Sequence, residues 1–181
     1  MLSFKQMGGA AIVTAMIASA GLAQTAEKPV KVGTGKAYGS MQTSTMITDP
    51  AVDGKVIRVA VTESGQKPWL AGINSMVAEK VKAGTKLKVT LWLRVSEPEP
   101  GKPAEVQVGI QDVDPPRTEW AKRKLTLTER WAPYVIEAVV PRDMAAYKVS
   151  ISLQIGGAKQ TVDVASIGAV SLGIAEPVPA S

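Results

Sequence analysis

The chain has 181 residues, 21 Lys and Arg against 16 Asp and Glu for a formal net charge of +5, and neither Cys nor His. Those absences exclude disulfides, thiolate nucleophiles, zinc sites of the usual kind and imidazole acid–base catalysis. The basic residues are scattered rather than clustered, so the charge reads as that of a soluble surface and no nucleic-acid partner is expected.

Residues 1–23 read as a secretory signal. Lys5 supplies the charged start, Met7 to Leu22 the apolar run, and Gly21-Leu22-Ala23 a small-x-Ala cleavage site. The run is too short and too rich in Gly and Ala for a membrane span, so none is expected after processing; a retained anchor is the competing reading. Cleavage puts the protein in the periplasm or outside the cell, where a domain that buries a real core can dispense with disulfides. One domain is expected over residues 24–174, followed by a flexible tail at 175–181.

Val30 and Val32 suggest a short leading strand, while the Ser/Thr-rich Lys36–Thr45 stretch, with Tyr38 and Met41, leaves strand and loop open. Asp49-Pro50-Ala51-Val52-Asp53-Gly54 is turn chemistry. Val56 to Thr62 follows as a strand with Ile57, Val59 and Val61 on one face and Arg58, Ala60 and Thr62 on the other. Glu63 to Pro68 breaks it, and Trp69 opens another run with Ala71 and Ile73 on its side. Val77 to Gly84 reads as a helical turn or as the turn that feeds the next strand.

That next strand is the clearest in the chain. In Lys86 to Val95, Leu87, Val89, Leu91, Leu93 and Val95 alternate with Lys86, Lys88, Thr90, Trp92 and Arg94. Burying the aliphatic set is worth about 1.5–3 kcal/mol per side chain before entropy is charged. Trp92 then points the same way as two lysines and an arginine, so either a second layer covers it or a ligand does.

Glu97 to Pro103 is a stiff, charged loop. Val106, Val108 and Ile110 alternate with Gln107, Gly109 and Gln111, and Asp112 to Trp120 is a second loop carrying Pro115-Pro116. Leu125 and Leu127 mark a short strand, Trp131 to Val140 a longer one, and Val149, Ile151, Leu153 and Ile155 another. Val162 to Leu172 closes the chain, with a bulge expected near Gly168. Eight or nine alternating strands, Pro/Gly loops and no helix or fixed repeat predict an all-β, antiparallel β-sandwich.

Four segments follow one another in a set order: Asp53-Gly54-Lys55-Val56-Ile57-Arg58-Val59, Lys67-Pro68-Trp69, the run from Lys82 to Arg94, and Leu127-Thr128-Glu129-Arg130-Trp131-Ala132-Pro133-Tyr134. That ordered set resembles the jelly-roll carbohydrate-binding modules of the four/nine type. The resemblance extends from about Val30 to Gly173 and implies a galactose-binding-like sandwich that recognises polysaccharide or oligosaccharide, often beside a glycoside hydrolase.

A sugar ring needs flat aromatic area and a fringe of amide, carboxylate or guanidinium groups. Trp92, Arg94, Gln107, Gln111 and Gln154 would meet that need on one surface if their three strands share a sheet. Trp69 and Trp120, at loop–strand edges, are lateral candidates, whereas Trp131 and Tyr134 are assigned to the core or its rim. The competing account has Trp92 packed under a loop and the glutamines solvated. Asp112-x-Asp114 offers loop carboxylates of the kind that hold structural calcium, but two acids fall short of a ligand set, and no cofactor is expected. No Gly-x-Ser-x-Gly elbow or phosphate loop is present, and the acids cannot be paired from sequence, so catalysis is not expected. The alternative function is a structural or interaction subunit, accessory to a glycoside hydrolase or another periplasmic partner, with no sugar binding of its own.

Overall fold

The computed structural model describes residues 27–52, 54–63 and 67–175. The signal at 1–23, Asp53 of the Asp-Gly turn and all of the 175–181 tail but Ala175 lie outside the described residues. Among the described residues eleven strands follow one another: β1 (Lys28–Val30), β2 (Lys36–Tyr38), β3 (Gln42–Asp49), β4 (Gly54–Val61), β5 (Gly72–Met76), β6 (Thr85–Glu97), β7 (Glu105–Asp112), β8 (Glu119–Thr126), β9 (Ala132–Val139), β10 (Val149–Gln154) and β11 (Thr161–Ile174).

All pairings are antiparallel. The first sheet runs β3-β4-β11-β6-β9 with β1 added along β11, and the second runs β2-β5-β10-β7-β8. Only β3–β4 and β7–β8 are sequence neighbours within a sheet; every other connection crosses between layers, as in a jelly roll. The chain is thus a single all-β sandwich.

Alternation builds the core. Leu87, Val89, Leu91 and Leu93 of β6 are fully buried, and they meet Val149, Ile151 and Leu153 of β10 and Val106, Val108 and Ile110 of β7 in one cluster. In each of these strands the aliphatic side chains fall at every second position and point inward, which is how two sheets share an interior.

Several expectations are refined. The ambiguous Lys36–Thr45 stretch holds β2 and the start of β3, in different sheets. Trp69 does not open a strand: it sits in a 3-10 turn, Pro68–Leu70, and β5 begins at Gly72. Pro68 at the first turn position suits that turn and not a central strand. Val77 to Gly84 is irregular and turns into β6 at Gly84, whose φ is +77°. The irregularity in β11 that falls nearest the expected bulge lies between Val164 and Ser166, whereas Gly168 pairs regularly with Thr90. The extra residue switches parity, so that Val162 and Val164 face inward before it and Ile167 and Ala169 after it.

Candidate functional site

Of the three strands expected to share a sheet, β7 and β10 do and β6 does not. Gln107 and Gln111 of β7 and Gln154 of β10 stand on the outer face of the second sheet, while Trp92 and Arg94 of β6 stand on the outer face of the first. Alternation assigned the correct side of each strand. The connection at residues 98–104 then carries the chain across the sandwich, and parity cannot reveal that crossing.

On the outer face of the second sheet, register lines up Tyr38, Gly72, Gln154, Gln107 and Lys124 in one row. The next row is Lys36, Asn74, Ser152, Gly109 and Lys122. Glycine at 72 is required by crowding, because a Cβ there would lie 2.4 Å from the Leu153 carbonyl oxygen and 2.6 Å from Tyr38 Oη. The phenol thus occupies the space over Gly72, with its oxygen 3.3 Å from Ser152 Oγ in a shared hydrogen bond. Burial pushes the Tyr38 phenol above its ordinary range, and the Ser152 hydrogen bond pulls the other way.

Gln107 Nε2 donates to Gln154 Oε1 at 2.9 Å. The two lysines that β8 adds to these rows are paired, Lys124 with Glu105 and Lys122 with Glu119. Among the described residues, Asn74 Oδ1 and Ser150 Oγ are buried and find no hydrogen-bond partner. A pocket of about 310 Å³ opens at the Gln107–Gln154 end, between Pro68, Lys102, Pro103, Glu105 and Lys124. Its proline walls and amide floor suit a ring with an apolar face and a hydroxyl rim.

Of the lateral candidates, Trp69 is exposed on the turn whose Pro68 lines this pocket. Trp120 is half-buried against the core, at the β7–β8 irregularity. The loop acids beside it are engaged by cations, Asp112 by Arg142 and Asp114 by Lys148. Among the described residues, no group of three or more His, Cys, Asp or Glu is placed to hold a metal.

The outer face of the first sheet is built differently. Fully buried Asp163 accepts from Arg58 Nε at 2.7 Å and from Arg94 Nε at 2.9 Å. Burial by itself would raise the Asp163 carboxyl, but the two guanidinium groups outweigh it and hold the acid below the ordinary carboxylate range. Arg94 also reaches Asp49 at 2.7 Å and stacks on Trp131, 4.7 Å from the ring centroid. Arg94 is therefore committed to a structural network, while Trp92, 41 % exposed, is neither swallowed between the layers nor held by that network. Tyr134 lies at the core rim as expected, its hydroxyl oxygen accepting from the Thr128 amide at 3.2 Å. Trp131 lies instead on this outer face, against Arg94.

Reading the sequence alone missed Tyr38, Gly72, Asn74, Ser150 and Ser152. The serines share parity with Gln154 and could have been found on that signal; Tyr38 and Gly72 meet only through register.

No family model and no curated protein sequence matches this chain. Solved structures do. A CBM4 module aligns at TM-score 0.58 and 14 % identity, over 76 % of this chain and 86 % of that one. The CBM22-1–GH10 modules of Clostridium thermocellum endo-1,4-beta-D-xylanase 10B, complexed with xylohexaose, align at TM-score 0.55 and 12 % identity. That match covers 87 % of this chain and 30 % of the xylanase chain. A Stig cyclase, Fisc, from Fischerella sp. TAU aligns at TM-score 0.53 and 17 % identity, over 78 % of this chain and 76 % of that one. The chain has the β-sandwich fold of CBM4/CBM22-type carbohydrate-binding modules, a fold that enzymes also use.

Proposed function

We propose that this protein is an exported, non-catalytic module that binds a polysaccharide or oligosaccharide on the outer face of the second sheet. The observation that carries the reading is the row Tyr38, Gly72, Gln154, Gln107, ending in a proline-walled pocket of about 310 Å³. An aromatic side chain, two amides and apolar walls are the groups that grip a sugar ring. The CBM4 and xylohexaose-bound CBM22 matches support the ligand class, and the pairing of Glu105 and Glu119 with Lys124 and Lys122 supports binding over catalysis. Export is supported by the leader-like sequence at 1–23.

The test is affinity electrophoresis and insoluble-polysaccharide pull-down across a glycan panel, with wild type, Gln107→Ala/Gln154→Ala and Trp92→Ala. Wild type and Trp92→Ala should bind, and the double variant should bind at least about tenfold more weakly, the loss of two hydrogen-bonding amides. No binding across the panel, or loss in Trp92→Ala alone, overturns the proposal.

A further inference from the structure

A second pocket, of about 360 Å³, lies where the first sheet is incompletely paired. Strand β4 accompanies β11 only as far as Val164, and β1 joins it only at Ala169. Ala165 to Gly168 therefore have no strand on that side, and the β11 irregularity between Val164 and Ser166 falls at the start of the gap. The chain crosses beside this gap from β1 in the first sheet to β2 in the second, and Val32 to Gly35 form one wall.

Three features of the lining set its chemistry. Ile57, Val164, Ile167 and Met46 give apolar walls. Ser75, 1 % exposed, contributes a hydroxyl that has no hydrogen-bond partner among the described residues. Lys55 is the single charged residue of the lining; it is exposed and makes no ion pair among the described residues. The buried hydroxyl comes from β5 of the second sheet and the cation from β4 of the first, so the apolar walls lie in a site framed by polar groups from both layers.

The geometry points to a binding site for a small hydroxylated aromatic acid, its carboxylate at Lys55, its ring between Ile57 and Ile167, and its hydroxyl at Ser75. The site is separate from the glycan face, so the two readings fail independently. A bare apolar molecule would leave Ser75 unpaired, and a sugar, with more hydroxyls than Ser75, Thr34 and Ser166 can serve, would set the rest against Ile57, Val164, Ile167 and Met46.

The experiment is titration calorimetry of the full-length chain with 4-hydroxycinnamate, cinnamate and 4-hydroxycinnamyl alcohol. Wild type should bind 4-hydroxycinnamate one to one and more tightly than either analogue. Lys55→Gln should weaken the acid by about 5- to 10-fold, the loss of a charge-assisted contact, while leaving the alcohol unchanged. Ser75→Ala should abolish the preference for 4-hydroxycinnamate over cinnamate. Should that variant fail to fold, the ligand pair on wild type supplies the same comparison. No binding at millimolar ligand, equal affinity for all three compounds, or an acid affinity indifferent to Lys55→Gln overturns the assignment.

Discussion

Asp163→Asn isolates what the ionic network contributes. The carboxylate is completely buried and takes hydrogen bonds from Arg58 Nε at 2.7 Å, Arg58 Nη2 at 2.9 Å and Arg94 Nε at 2.9 Å. An asparagine keeps the shape but removes the charge and turns one acceptor into a donor facing a guanidinium. Removing one partner of a buried ion pair costs about 3–5 kcal/mol. The arginines are 33 % and 22 % exposed and Arg94 keeps Asp49, so the lower end applies. About 3 kcal/mol in a chain of this size lowers Tm by roughly 6–12 °C. The assay is thermal unfolding followed by circular dichroism, repeated from neutral to acidic pH. Because the Asp163 carboxyl lies below its ordinary range, its stabilisation is complete above the unfolded carboxylate pKa and is lost as pH falls through the folded value. Wild type should lose Tm in that acidic window, and Asp163→Asn should lose less there. A variant melting within about 2 °C of wild type at neutral pH, well under the shift expected for this cost, would refute the reasoning.

Leu91→Ala, at a fully buried position in β6, should destabilise by about 2–5 kcal/mol in chemical denaturation, the usual cost of a core cavity. Gly72→Ala places a Cβ against the Leu153 carbonyl and the Tyr38 phenol; it should cost about 1–3 kcal/mol by overpacking and weaken glycan retention in the pull-down. Trp92→Ala should shift stability by no more than about 0.5 kcal/mol, as exposed positions do, and leave glycan retention intact. Binding of a neutral oligosaccharide should change less than about twofold between roughly 50 and 500 mM salt, because the lysines of β8 are already paired with Glu105 and Glu119 and leave little charge to screen.

What the sequence revealed follows from what alternation can encode. Period-two patterning in β6, β7 and β10 identified their inward sides, because burying aliphatic residues on one face requires it. It also put Trp92 and Gln107 correctly on outward sides. It could not say which sheet either strand joins, since both layers use the same pattern, and so it merged two opposite faces into one site. The Tyr38–Gly72 contact was out of reach for another reason: β2 has three residues, too few for a period to register. The parity switch in β11 was visible as Val162 and Val164 giving way to Ile167 and Ala169, yet glycine drew the expected bulge to the wrong residue.

The two outer faces divide polar chemistry in a way that bears on where a ligand can bind. On the first sheet, Arg58, Arg94, Asp49 and Asp163 satisfy one another, and Trp131 packs on the guanidinium, so an incoming hydroxyl there would have to displace charge-assisted bonds. On the second sheet, Asn74 Oδ1 and Ser150 Oγ are buried without partners among the described residues, and the Gln107–Gln154 bond leaves amide capacity on both side chains. A buried unpaired acceptor costs about 1–3 kcal/mol, and a ligand that supplies a donor recovers part of it on binding. Sugar hydroxyls can both donate and accept, which matches the mixture of carbonyl, amide and hydroxyl groups found there. The exposed indole of Trp92 offers stacking area without that polar fringe, so aromatic exposure by itself marks the less suitable face.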